Sequence, residues 1–112
     1  MRGSIWKFVP FILLLCSCTA GFNVSGQESA VETLYNKRCA GCHGFDGHPA
    51  RKNLPKIPDF TDPEFHRKHT DKELETSISE GRPPLMPAFK SKLDEAEIRS
   101  LREYIRNFNK KN

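Results

Sequence analysis

Cys39-Ala40-Gly41-Cys42-His43 packs two thiols and an imidazole into five consecutive residues, and any fold of this chain has to accommodate that cluster. Three chemistries use such a group: tetrahedral zinc binding, dithiol–disulfide exchange, and covalent attachment of a haem. A length of 112 residues leaves room for one domain and a short appendage. With 37% hydrophobic and 29% charged residues, the composition is that of a globular protein rather than a disordered or membrane-embedded one.

The apolar residues are unevenly spread. Arg2 and Lys7 lead into the run FVPFILLLCSC, which is too short to span a bilayer. A basic start, a short apolar stretch and then small residues read as an export signal over residues 1–17. Leu15-Cys16-Ser17-Cys18 resembles a bacterial lipobox, which makes Cys18 the expected site of lipid attachment; cleavage after Ala20 is the competing reading. Residues 18–27, including GFNVSGQ, read as a flexible polar tether and favour the lipid anchor, leaving 28–112 as the folded domain. The expected location is the periplasmic side of a membrane, or otherwise the soluble periplasm. Processing also removes Cys16 and Cys18 from the count, so that Cys39 and Cys42 remain, and in an oxidising compartment their default fate is one disulfide. The formal net charge is +4, two of whose charges, Arg2 and Lys7, lie in the signal. With no long basic tract or interleaved aromatics, nucleic acid is not an expected partner.

The domain reads as all-α. A helix is expected from Ser29, with Glu32 in a capping-box relation and Val31, Leu34 and Tyr35 forming an apolar stripe that runs into Cys39. A second is expected from Thr70, with Glu73 three residues on, Leu74 and Ile78 on one face, and Gly81 as its stop. A third starts near Asp94 with Glu97, and Ile98, Leu101, Ile105 and Phe108 line one side. Two loops rich in proline and glycine, GFDGHPARKNLPKIPDFTDPEF and RPPLMPAFKSK, separate them and are expected to be irregular. Three short helices and two loops bury little apolar surface, so a fold of this size calls for a covalent staple, a metal or a large cofactor.

The surroundings discriminate among the three chemistries. A redox C-x-x-C favours a helix N-terminus in a βαβ context, whereas here the cysteines follow a helix and no strand pattern exists. Zinc would need His66 and His69 as partners, but the gap from Cys42 is too long for a finger and His66-x-x-His69 is too tight. In C-x-x-C-H the two sulfurs can reach the two vinyl groups of one porphyrin, and the adjacent His43 offers its imidazole to the iron.

With helix-CAGCH at its start, PDFTDPEF before the middle helix, then ISEGRPPLMPAF and LDEAEIRSLREYIRNF, the chain resembles the class I mono-haem c-type cytochromes over roughly residues 30–108. It looks most like the small bacterial members found free or as haem c subunits of oxidases and dehydrogenases. The resemblance implies a cytochrome c fold, three main helices and loops wrapped around one covalently bound haem c. It implies Cys39 and Cys42 on the vinyl groups, His43 as proximal iron ligand and Met86 as distal ligand. Apart from the initiator, Met86 is the chain's single methionine, and Pro84 and Pro87 hold it in a loop rather than on a helix face. His48, His66 and His69 are the other candidates for the sixth position; His48 stands where many relatives have a small residue. The family also uses a proline-loop carbonyl to accept the proximal imidazole N–H, at either Leu54-Pro55 or Ile57-Pro58.

The crossing of first and last helices in the family implies that Leu34 and Tyr35 meet Leu101, Tyr104 and Ile105. Phe60, Phe65, Leu74, Ile78, Leu85 and Phe89 are expected to line the pocket. Lys37, Arg38, Arg51, Lys52, Arg82, Lys90 and Lys92 lie close to the motif or the methionine loop in sequence, and would steer an acidic partner if they ring the haem edge. Arg99, Arg102, Arg106 and Lys110 form a stripe that reads as structural. The expected function is one-electron transfer between membrane-bound or periplasmic redox proteins, with no small-molecule substrate and no catalytic site of its own. The alternatives are a relay subunit or sensor module of a larger oxidase or dehydrogenase complex and, more remotely, a small haem peroxidase, which would need the Met86 position vacant or weakly held.

Overall fold

The computed structural model describes residues 24–54 and 56–111. The export signal, Cys16, the Cys18 lipobox, residues 18–23 of the tether and Pro55 lie outside the described residues. The helices are α1 (Val24–Arg38), α2 (Ala40–His43), α3 (Pro63–Lys68), α4 (Asp71–Glu80) and α5 (Glu95–Phe108), the last continuing into a 3-10 turn at Asn109–Lys111. Among the described residues the only strand-like pairing is one antiparallel bridge between Arg82 and Met86. The fold is all-α, as expected.

Local chemistry explains the helix starts. Thr70 Oγ1 accepts from the Glu73 N–H at 3.2 Å while the Glu73 carboxylate accepts from the Thr70 N–H at 2.8 Å. Asp94 and Glu97 repeat this exchange at 2.8 and 2.9 Å. Helix α1 departs from expectation: it begins at Val24, so Ser29 lies inside it and does not cap it, and residues 24–27 of the expected tether are helical. No proline lies between Val24 and Ser29 to stop the helix growing upstream. Helix α3 corrects the expectation of an irregular first loop. Asp62 caps it by accepting from the Glu64 N–H at 2.9 Å, and Pro63 occupies the first turn, where its missing N–H costs nothing.

The core forms where α1 crosses α5. Tyr35 and Leu101 are fully buried, and the Tyr35 ring packs on Tyr104 at 4.9 Å and Phe108 at 5.4 Å between centroids. Burial raises the Tyr35 pKa, and its neutral hydroxyl donates to the Gly44 carbonyl at 2.9 Å, tying α1 to the end of α2. Ile98, Leu101, Ile105 and Phe108 are buried along one side of α5, matching the sequence pattern. On its other side the arginine stripe acts between helices: Arg102 pairs with Asp71 at 3.1 Å and Glu75 at 3.2 Å, and Arg106 with Asp71 at 2.9 Å. These contacts clamp α5 to α4. Leu101→Ala is expected to lower the unfolding free energy by about 2–5 kcal/mol, read from denaturant midpoints, because the side chain packs against α1 and also walls the cleft described next.

Candidate functional site

The break between α1 and α2 places the motif. Cys39 sits between the two helices, with its N–H on the Tyr35 carbonyl at 2.8 Å and its own carbonyl accepting from His43 at 3.0 Å. Gly44 ends the turn at φ +78, where a Cβ would lie 2.1 Å from the His48 carbonyl oxygen, so only glycine lets the chain turn here. His43 lies at the inner end of this short helix, half-buried, and its Nδ1 is buried with no hydrogen-bond partner.

Met86 arrives from the opposite side. The Arg82 and Met86 backbones exchange two hydrogen bonds, at 2.9 and 3.0 Å, closing a tight loop over Pro83, Pro84 and Leu85. Gly81, at φ +72, begins this loop; a Cβ there would stand 2.6 Å from the Met86 carbonyl oxygen. The following segment is bound back to α4, with the Phe89 N–H on the Ile78 carbonyl at 3.1 Å.

Between these two sides runs a cleft whose walls are almost wholly apolar. Cys39, His43 and Phe60 form one side, Met86, Phe89 and Leu93 another, and Ile78, Leu101 and Ile105 the helical wall. Of the expected lining residues, Phe60, Ile78 and Phe89 are there. Leu74 is buried elsewhere, and Phe65 packs behind Phe60 at 5.3 Å. Leu85 is 53% exposed, a correction with a simple cause. Leu85 sits in the turn that the Arg82–Met86 bridge closes, and there its side chain stands out into water while Met86 lines the cleft. Leu93 escaped the sequence reading although its signal was present. It precedes the α5 cap and is buried along with Ile98, the arrangement of a hydrophobic staple.

The three alternative histidines do not line this cleft. His48 Nδ1 pairs with Asp59 at 3.0 Å, joining the loop after the motif to the loop before α3. The hydrogen bond and charge of Asp59 raise the His48 pKa. The Asp59 carboxyl is lowered, because hydrogen bonds from Thr61 and His48 outweigh its partial burial. The tie is therefore strongest between those two shifted values and loosens as the pH rises through the His48 pKa or falls through that of Asp59. His66 bonds to the Phe60 carbonyl and to Arg106, and His69 lies 3.9 Å from Glu73. Among the described residues no group of three or more His, Cys, Asp or Glu side chains is placed to hold a metal ion, and His66 and His69 are engaged with Phe60, Arg106 and Glu73. Burial pushes the Cys39 thiol up to about 11, against the lowering effect of Arg38, the reverse of an activated redox thiol. Among the described residues no loop carbonyl, at Leu54 or at Ile57-Pro58, accepts from His43, whose Nδ1 has no partner; the His43 ring is covered by Phe60, stacked at 4.5 Å and 14°.

The donor set suits a flat, apolar, iron-bearing group. An imidazole and a thioether, the pair found in cytochromes c, line one apolar cleft beside a cysteine. Desolvation lowers the His43 pKa to about 4, which keeps the ring in its neutral, ligating form at neutral pH. Nothing polar in the walls competes for such a group. The basic residues near the motif, Lys37, Arg38, Arg51 and Lys52, are exposed, whereas Lys90 is tied to Glu80 at 2.7 Å.

Comparison with known proteins agrees with this chemistry. Residues 26–105 match the family described as cytochrome C oxidase, cbb3-type, subunit III. The chain is 28% identical over 109 residues to the Cbb3-type cytochrome c oxidase subunit CcoP of Azospirillum sp. (strain B510), matching 95% of this chain but 36% of that protein. The chain thus spans about a third of the length of the curated relative it matches. The solved KustC0563 c-type cytochrome superposes with a TM-score of 0.65 at 35% identity, covering 69% of this chain and 94% of its own. A tyrosine-to-phenylalanine variant of that cytochrome gives 0.65 at 33% identity, covering 70% and 96%. On its sequence match and its fold alike, the chain belongs to the cbb3-type cytochrome c oxidase subunit III family and is a small, all-α, mono-haem c-type cytochrome domain.

Proposed function

We propose that this chain is an exported one-electron relay in which Cys39 and Cys42 would hold haem c through thioether bonds and His43 and Met86 would ligate its iron. The observation that carries this reading is the convergence of His43 and Met86, 43 positions apart, on one apolar cleft next to Cys39. Haem c, when bound, supplies an iron that exchanges single electrons between Fe(II) and Fe(III).

The protein's own residues do the rest. Desolvation keeps the His43 imidazole neutral, and Phe60 fixes its plane. The bridge from Arg82 to Met86 directs the thioether inward, and a sulfur donor favours the reduced iron. Ile78, Leu101 and Ile105 exclude water from that side. If His43 and Met86 both ligated the iron, the protein would leave no coordination site for a substrate, which supports electron transfer over peroxidase chemistry. Exposed Lys37, Arg38, Arg51 and Lys52 supply long-range attraction to an acidic face of a redox partner.

Its match to CcoP favours a place as a relay subunit beside a membrane oxidase over a freely diffusing carrier. Among the described residues no helix is long and apolar enough to cross a membrane. A lipid on Cys18, in the lipobox-like Leu15-Cys16-Ser17-Cys18, would attach the domain to one. The test is a reduced-minus-oxidised spectrum of protein made in an export-competent host. We expect a c-type band, haem that resists acid–acetone extraction, and a thioether-to-iron charge-transfer band in the oxidised form. Extractable haem would sink the covalent assignment, and loss of the charge-transfer band the Met86 assignment.

A further inference from the structure

We propose that Arg106 and His66 form a positioning relay that sets the plane of the His43 imidazole through Phe60. The inference rests on His43 being the proximal ligand. Arg106, on α5, is largely buried, its side chain 19% exposed. Its guanidinium donates to the carbonyls of His66 at 3.0 Å and His69 at 2.6 Å and to Asp71 at 3.0 Å, while one nitrogen also reaches His66 Nδ1 at 3.1 Å. A guanidinium has donors and no acceptor, so Nδ1 of His66 must be the accepting nitrogen. That fixes the tautomer. The proton sits on Nε2, which donates to the Phe60 carbonyl at 2.6 Å.

Phe60 is thereby gripped at both backbone groups, since its own N–H donates to the Gly47 carbonyl at 2.9 Å. Its ring, 5% exposed, lies almost parallel to His43 at 4.5 Å. Among the described residues the buried Nδ1 of His43 has no hydrogen-bond partner, and the stacked Phe60 ring is a contact able to hold its plane. A polar chain therefore runs from Asp71 on α4, through Arg106 and His66, to the aromatic face of the proximal histidine. Groups behind a metal ligand orient it and tune the metal, and here an aromatic ring held by a histidine takes that place. A clamp of α5 on α4 would need only Arg106 and Asp71; the imidazole of His66 adds the link to the site.

Two measurements on the haem-loaded full chain test this. In nitrogen-15 NMR of the wild type at neutral pH, His66 is expected as the Nε2–H tautomer, and the Nδ1–H tautomer overturns the relay. In the oxidised state, His66→Ala is expected to displace the haem-methyl shifts and the EPR g values, with a changed midpoint potential. His66→Gln, whose amide can donate to Phe60 and accept from Arg106, is expected to restore them. An unchanged pattern in His66→Ala, or a displacement in His66→Gln as large as in the alanine variant, overturns the proposal. Should His66→Ala fail to take up haem, Arg106→Lys keeps a cation for Asp71 and loses the fork; wild-type shifts in that variant equally overturn it. If the wild type itself lacks a histidine–methionine low-spin spectrum, the ligand assignment fails, an outcome distinct from an unmoved pattern on intact ligation.

Discussion

Met86→His is expected to lower the midpoint potential by about 0.2 V or more, a sizeable part of the roughly 0.8 V that axial-ligand choice commands. A thioether is a soft donor that favours Fe(II), whereas a second imidazole is a stronger σ-donor that stabilises Fe(III). The loop gives the substitution a fair chance of ligating. Arg82 and Met86 bond through their backbones, so a changed side chain leaves the bridge intact and still faces the cleft. Met86→Ala separates ligation from mere packing. It should open a coordination position, seen as loss of the thioether-to-iron band and as new binding of carbon monoxide to the reduced protein. A potential within a few tens of millivolts of wild type in both variants would remove Met86 from the iron. Because His48, His66 and His69 all stand off the cleft wall, no other residue in the sequence reading would then be ready to replace it.

What could be read from the sequence was local or unique. Attachment chemistry needs its thiols and imidazole contiguous, so Cys39, Cys42 and His43 announce themselves. Met86 stands out because it has no competitor outside the initiator and sits among prolines, and it lines the same cleft as His43. The caps at Thr70 and Asp94 are three-residue signals and fell where expected. Leu85 was misassigned because the side to which a loop residue points depends on the bridge at Arg82, which composition does not reveal. Asp62-Pro63 is a cap followed by a first-turn proline, a legible start to α3 that was obscured by the proline count of the surrounding loop. The relay was illegible for a different reason. His66 in isolation offers a free imidazole, and reading it as a zinc or iron ligand is sound chemistry. Its nitrogens are claimed by a carbonyl six positions back and by a guanidinium forty positions on, a fact of tertiary structure alone. The structural reading of the α5 stripe gained its partners only in space: Arg102 and Arg106 grip Asp71 and Glu75 of α4, while Arg99 pairs with Glu95 on its own helix.

Removing both attachment thiols, Cys39→Ala with Cys42→Ala, is expected to have the largest effect on the fold itself. The described core is thin: α1 and α5 cross at Tyr35 and Leu101, while long stretches between the helices are loop. Ile78, Phe89, Leu93 and Ile105 line the cleft as well as the core, so a bound group would pack against the residues that hold the fold together. A covalent link keeps that group in place during every local opening, so its loss should cost at least the roughly 2–4 kcal/mol typical of a cross-link in a small domain. Haem should then pass into acid–acetone, and the thermal midpoint should fall and become dependent on added haem, as mass action requires once the group can leave. The single variants are expected to differ. Cys39 lines the cleft and packs against the core, whereas Cys42 is not among the lining residues, so Cys39→Ala loses packing as well as a bond and should be the less stable of the two. Each single variant retains one thioether and regains one vinyl, which lengthens the conjugation of the ring and moves the reduced band to longer wavelength. A double variant with unchanged midpoint and non-extractable haem would show that neither thiol carries the attachment.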